Sequence, residues 1–501
     1  MKTKGNARGR LGALDLGTTG VRFVLFDETA HEVASAYQEL PLACPRPGWV
    51  EQHPERMVEG ALAVLRAALK SAGLRPQDLL GIGITNQRET VVAWDRKSGT
   101  PLAPAIVWQD RRTAARCRKL AEQGLGPRVR EVTGLPLDPY FSATKLEWLL
   151  RNVPGLREGA RAGEVCFGTV DSWLLYKLGG VHATDPSNAS RTMLFDLRRL
   201  AWSEELLELF ALPRGALPEV RPSFSLFGTT KPGLLGAEVP LAGVLGDQQA
   251  ALLGQGCISP GQGKVTWGTG AFLLVHTGDR PVESGQGLIS TVAYSAPGGA
   301  SYALEGSAFV AGAAVQFLRD LGLISSSAES EALAASLSGN EGVYFVPALT
   351  GLGAPHWDPY ARGAILGLTR GTTRAHLARA ALEAIAYQTH DLVRAAEADF
   401  PHRLPELRVD GGAARNEFLC QFQADILGVP VVRPQVLETT ALGAALAAGV
   451  SLGLWQFSDI PSLVRRERTF QPHMSPSERE QLLAGWHRAV ERARGWAEGA
   501  R

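Results

Sequence analysis

Residues 11–27 read LGALDLGTTGVRFVLFD. Apolar, strand-like runs flank a Gly17-Thr18-Thr19-Gly20 turn, and Asp15 stands at the end of the first run. The unit is a strand-turn-strand with a polar tip. About half the chain further on, residues 265–278, VTWGTGAFLLVHTG, repeat the design with Gly268-Thr269-Gly270 at the tip. Two such units imply a distant duplication and two domains of similar construction. The length of 501 residues agrees, because one hydrophobic core stops growing at roughly 250 to 300 residues. Residues 254–261, GQGCISPG, are rich in turn formers and immediately precede the second unit. The boundary falls there, giving a first domain of residues 1–256 and a second of residues 257–501.

Composition narrows the function classes. A hydrophobic fraction of 45% with 20% charged residues is that of a globular protein with an ordinary core. Fifty-one Lys plus Arg against fifty Asp plus Glu leave a net charge of +1, which argues against a surface built for nucleic acid or anionic membrane. The partner is expected to be a small molecule. The five cysteines are scattered, with no C-x-x-C pair, so neither a disulfide framework nor a zinc site is suggested. Residues 1–10 are basic but lack the apolar stretch of a secretory signal, and read as a solvated tail. The longest uncharged stretch, residues 441–455, is shorter than the ~20 apolar residues needed to span a bilayer and reads as a buried helix. A cytoplasmic protein without membrane insertion is expected.

Between the two hairpins, residues 55–72 carry apolar residues at helical spacing and stop at Gly73. Residues 79–85 and 91–94 read as short strands, which puts Asn86-Gln87-Arg88-Glu89 on the turn joining them, with side chains free to point outward. Residues 377–398 form a long helix. Residues 407–409 read as a strand ending in Asp410-Gly411-Gly412, followed by a helix over 416–427, an order suited to a nucleotide.

Gly and Thr at a turn let the backbone approach phosphate oxygens and add no negative charge. Either turn alone is as well explained as an ordinary hairpin; two matching turns favour phosphate. Asp15, beside the first, is placed to hold the magnesium that accompanies ATP through water, turn capping being the plain alternative. Other nucleotide motifs fail. Gly263-Lys264-Val265 resembles a P-loop ending, but Ile258 stands where glycine is required and Val265 where Ser or Thr is. No strand runs into G-x-G-x-x-G, and the ten histidines include no H-E-x-x-H. An actin-like ATPase remains.

Asp15-Leu16-Gly17-Thr18-Thr19 together with Arg22 resembles the first phosphate loop of the FGGY carbohydrate kinases. Within that family the remaining motifs resemble the members that phosphorylate glycerol. These are residues 83–90 (GITNQRET), 106–109 (IVWQ), 138–142 (DPYFS), 188–192 (NASRT), 246–251 (GDQQAA) and 350–355 (TGLGAP). The resemblance spans nearly the whole chain. It implies an α/β fold of two actin-like, ribonuclease-H-like ATPase domains with a nucleotide cleft between them. It also implies transfer of phosphoryl from ATP to glycerol, giving sn-glycerol 3-phosphate in glycerol uptake and catabolism.

By the same resemblance, Arg88, Glu89, Tyr140, Asp247 and Gln248 would contact glycerol, with Trp108 and Phe272 as an apolar wall. Three adjacent hydroxyls need several donors and acceptors, while the carbon face favours aromatic surface. Taken alone, an Arg-Glu neighbour pair is usually a solvated surface pair and a tryptophan usually core. Asp247 would be the catalytic base, with helix capping as its plain alternative. Thr18, Thr19, Gly20, Arg22, Thr269, Gly312, Gln316, Gly412 and Asn416 would hold the nucleotide, and Asp15 and Asp247 the magnesium. A homo-oligomer, dimer or tetramer, is expected.

Two rivals stay open: another FGGY kinase acting on a pentulose, hexulose or small polyol, and a non-catalytic sugar-responsive regulator on the same scaffold. No separate basic DNA-binding segment supports the second. The chain departs from the family pattern at Leu16 and Gly20. Residues 233–238 also lack the arginine that some bacterial relatives use to bind fructose 1,6-bisphosphate.

Overall fold

The computed structural model describes residues 9–497. The expected solvated tail therefore lies outside the described residues except at its end, where Arg10 opens the strand Arg10–Leu16. Two mixed sheets organise the chain, and they are built to one plan. In the first half, Arg10–Leu16 turns back into Gly20–Phe26, which pairs with Glu32–Glu39, all antiparallel. On the other flank Arg10–Leu16 lies parallel to Leu79–Asn86, which lies parallel to Pro240–Gly246.

The second half repeats this. Gly263–Trp267 turns back into Ala271–Gly278, which pairs with Gly299–Ala308. Its other flank lies parallel to Leu407–Asp410, and that to Val431–Pro434. The duplication read from the two hairpins is thus a duplication of sheet order.

Burial explains the strand sequences. Leu14, Leu16, Val21, Phe23 and Leu25 fill one side of the first sheet beneath the helix Pro54–Ser71, and Leu11, Ala13, Val24 and Phe26 fill the other. What covers that second face comes from the other half. The helix Thr439–Ser451, alanine-rich and buried nearly throughout, packs on it and against the helix Asp247–Gly254. The approach is backbone-close: a Cβ on Gly443 would sit 1.8 Å from the Ala250 carbonyl oxygen, and one on Gly254 2.0 Å from that of Thr439. The stretch read as too short to span a membrane is the helix that locks the halves together. Among the described residues no helix is long and apolar enough to cross a membrane.

The expectation for residues 86–89 is corrected. Leu79–Asn86 and Val91–Asp95 belong to different sheets, the latter pairing with Val165–Thr169. Residues 87–90 therefore link two layers and are enclosed. Arg88 is 3% exposed and Glu89 1%, so neither side chain points outward.

Candidate active site

Register brings the site together. Leu16, Asn86 and Gly246 lie side by side on three adjacent parallel strands, since Leu16 pairs with Asn86 and Asn86 with Gly246. Asp15, Arg88 and Asp247 therefore emerge along one edge, at the carboxyl ends of the parallel strands, where α/β sheets hold ligands. Asp247 is the first residue of its helix, not its cap; Gly246 occupies the cap position, and Asp247 Oδ1 accepts from the Gln248 N–H at 2.7 Å.

Arg88 is the hub. Its Nε lies 3.0 Å from Asp247 Oδ1. Its two terminal nitrogens donate to both oxygens of Glu305, at 2.5 and 3.0 Å, and Nη1 also reaches Gln249. Glu305 comes from the second half, in the strand Gly299–Ala308. It also accepts from Arg191 Nη2 at 3.1 Å, and Arg191 Nε donates to Glu89 at 2.6 Å. Burial disfavours each of these charges. It raises Glu89, with Arg191 opposing, and it works against Glu305, whose carboxyl Arg191 and Arg88 nevertheless hold below its ordinary value. Glu89 holds φ +55°, a left-handed conformation unfavourable for a residue with a side chain, and Ser142 Oγ donates to its carbonyl at 3.0 Å.

Beside this network, Tyr140 and Trp108 meet edge to face with centroids 5.4 Å apart, and the Arg191 guanidinium lies 5.7 Å from the Tyr140 ring. Trp108 Nε1 donates to Thr18 Oγ1 at 2.8 Å, joining the aromatic pair to the first glycine turn. Phe272 is half-buried on the second sheet, paired across strands with Thr266 and Ser307. Lys145, wholly buried, donates to the carbonyls of Pro139, Tyr140 and Phe141 at 2.5, 2.7 and 3.2 Å, and so fixes the loop that presents Tyr140.

The two turns close alike, the N–H of Gly17 donating to Gly20 and that of Gly268 to Gly270, each at 2.9 Å. Gly312 N–H meets the Gly268 carbonyl at 3.0 Å, where a Cβ would come within 2.6 Å of that oxygen, so only glycine fits. Thr269 sits at the second tip, Gln316 is exposed on the helix Gly312–Asp320, and Gly412 is exposed beyond Gly411. Asn416 spends its Oδ1 capping the helix Glu417–Leu427, by accepting from Leu419 N at 2.9 Å. Thr19 is exposed, and Gly20 is pressed against Tyr37. Arg22 pairs across the strands with Asp15 and forms an ion pair with Glu438 of the second half.

The carboxylates of Asp15 and Asp247 are near enough for their charges to interact. Burial foremost, then the Asp247 carboxylate, pushes Asp15 up to about 7, with Arg22 opposing. Burial likewise raises Asp247, with Arg88 opposing. Among the described residues no cluster of three or more His, Cys, Asp or Glu side chains forms a metal cage. Two partly desolvated carboxylates with incomplete countercharge are nonetheless a donor set suited to a divalent cation that keeps most of its own water.

Residues 11–254 match the family model for the N-terminal domain of the FGGY family of carbohydrate kinases, and residues 263–452 match that for its C-terminal domain. The chain belongs to the FGGY family of carbohydrate kinases. It is 57% identical to a glycerol kinase of Thermus brockianus over 97% of this chain and 99% of that one. Against a glycerol kinase of Dechloromonas aromatica the identity is 55%, over 97% of both. A crystal structure of Plasmodium falciparum glycerol kinase with ADP superposes with a TM-score of 0.91 at 34% identity, covering 97% of this chain and 98% of that one. The two-domain α/β fold expected from the sequence is thus the fold of this FGGY kinase.

Sequence reasoning missed three residues that the fold brings to this candidate site. Glu305 left a readable signal, the one charged residue in the strand Gly299–Ala308. Arg191 lies within NASRT at residues 188–192, where no local spacing links it to Glu89 or Glu305. Lys264, whose ammonium donates to Gln248 Oε1 at 2.5 Å, stands in the sequence only within a P-loop ending that fails.

Proposed function

We propose that this FGGY kinase transfers the terminal phosphoryl group of ATP to glycerol, yielding sn-glycerol 3-phosphate and ADP. The observation that carries the reading is the 3.0 Å contact between Arg88 and Asp247, because it sets a hydroxyl-binding cation beside a carboxylate able to take a hydroxyl proton. Glu89, Tyr140, Trp108 and Gln248 surround that pair with acceptors, donors and aromatic surface. High identity to glycerol kinases over nearly the full chain supports the same substrate.

In this reading a primary hydroxyl of glycerol attacks the γ-phosphorus. The new O–P bond forms as the bond to the ADP oxygen breaks, and Asp247 accepts the hydroxyl proton. Arg88 and Gln248 orient the hydroxyls, and enclosure between the halves keeps out water that would otherwise take the phosphoryl group. Thr18, Thr19, Gly20 and Thr269 at the two turns cradle the phosphates, with Arg22 nearby, while Gly312, Gln316, Gly412 and Asn416 line the nucleoside side. Asp15 and Asp247 would hold magnesium through water; the ion would neutralise phosphate charge. The domains in this account are residues 1–256 and 257–501.

Incubating the protein with magnesium-ATP and a panel of glycerol, xylulose, ribulose and gluconate, and following ADP release, tests the reading. Glycerol should be turned over with the highest kcat/KM. Faster turnover of a pentulose, or no turnover of any substrate, would overturn it.

A further inference from the structure

Lys264 is the residue whose position the reaction just described does not explain. It lies on the strand Gly263–Trp267, next to the second glycine turn, with Thr266 on the same face. Its side chain is wholly buried. Among the described residues no carboxylate lies within ion-pair distance of it. Instead its ammonium donates to Gln248 Oε1 at 2.5 Å and to Thr266 Oγ1 at 2.8 Å. Burial draws it down to about 8 while Asp410 and Asp247 pull it back up. A buried ammonium resting on neutral oxygens is costly, and a structural role alone would be filled more cheaply by an apolar side chain.

The chemistry of the contact fixes an orientation. An ammonium donates three hydrogen bonds and accepts none, so the Gln248 amide must turn its oxygen toward Lys264. Its Nε2 is then left over. Among the described residues Nε2 makes no hydrogen bond to protein, and it belongs to the residue following Asp247, at the edge of the Arg88 network.

We propose that Lys264 is a positioning residue that fixes Gln248 as a hydrogen-bond donor to a glycerol hydroxyl oxygen. The assignment rests on the reading of this site as a glycerol pocket. A hydroxyl whose oxygen accepts from Gln248 keeps its own proton free for a carboxylate. Turned the other way, the amide oxygen would compete with Asp247 for that proton. Lys264 excludes this second orientation, and does so from the strand that carries the second phosphate turn.

Glycerol binding by calorimetry, with steady-state kinetics, on wild type, Lys264→Met, Gln248→Glu and the double variant tests this. Lys264→Met keeps the length of the side chain and removes the charge. Gln248→Glu gives Lys264 an ion partner, which protects folding, but offers no donor to the ligand. Each single variant should bind glycerol about tenfold more weakly, the worth of one hydrogen bond to a fixed donor. The KM for ATP should be unchanged, and the double variant should lose no more than either single one, because both remove the same donor.

Glycerol binding as tight as wild type in either single variant, additive losses in the double, or an equal rise in the KM for ATP would overturn the assignment. If Lys264→Met does not fold, Gln248→Glu decides alone. A wild-type protein that binds no glycerol would instead overturn the pocket reading itself, a result distinct from all of these.

Discussion

The Nε of Arg88 and the Oδ1 of Asp247 lie 3.0 Å apart, and the opposite edge of the same guanidinium is clasped by Glu305. One side chain thus joins the proposed base to the far half of the molecule. Arg88→Ala would leave the buried Glu305 with Arg191 as its remaining ion partner. Breaking a buried pair in this way costs about 3–5 kcal/mol of stability, and thermal or denaturant unfolding should register it. In protein that remains folded, the KM for glycerol should rise far more than the KM for ATP. Equal rises would remove Arg88 from the glycerol pocket.

The loop that presents Tyr140 should depend on a cation behind it. Lys145→Met removes donors to three successive carbonyls. Hydrogen bonds from a charged group contribute roughly 1.5–3 kcal/mol each, so a clear fall in Tm is expected. Release of Tyr140 should raise the KM for glycerol and leave that for ATP alone. Unchanged glycerol kinetics in a destabilised variant would show that the loop holds its place without Lys145.

Asp15 provides a pH test with a definite sign. Its carboxyl is raised from 3.8 to about 7, by burial first and by Asp247 second. An acid raised on folding costs nothing while protonated in both states. Its penalty grows as pH climbs from about 3.8 to about 7, and is complete above that. Asp15→Asn should therefore unfold at a higher temperature than wild type at pH ~8 in metal-free buffer, with the gain shrinking toward pH ~5. Magnesium-ATP, bound by wild type, should narrow the gap. A gain that does not vary with pH would show that Asp15 is not the titrating group.

The features legible in the sequence are those written in local pattern. Strand periodicity on both sides of Gly17–Gly20 and Gly268–Gly270 gave the duplicated hairpins, and the helix read over 377–398 lies within the helix Arg374–Asp399. Asp410-Gly411-Gly412 marked the turn after the strand Leu407–Asp410, and the helix read over 416–427 is the helix Glu417–Leu427, with Asn416 outside it as the cap. The charged network was not legible, because its partners are brought together by sheet packing rather than spacing. Arg88 and Glu305 are 217 residues apart. For the same reason residues 86–89, polar and between two strands, look like an exposed turn until the second half covers them. Lys264 illustrates the converse: a P-loop match discarded for Ile258 and Val265 still held a residue that the fold brings onto Gln248.

Asp247 as a base, and not merely a ligand contact at the helix end, is decided by the kcat of Asp247→Asn. Asparagine keeps the size and can still accept from the Gln248 N–H, but cannot take the hydroxyl proton. With glycerol and magnesium-ATP saturating, kcat should fall by about 10² to 10⁴, or ~3 to 5 kcal/mol of barrier, while glycerol binding weakens much less. The proton leaves late in a loose transition state, which favours the lower end of that range. Near-normal kcat in a variant with an unchanged thermal transition would contradict the account.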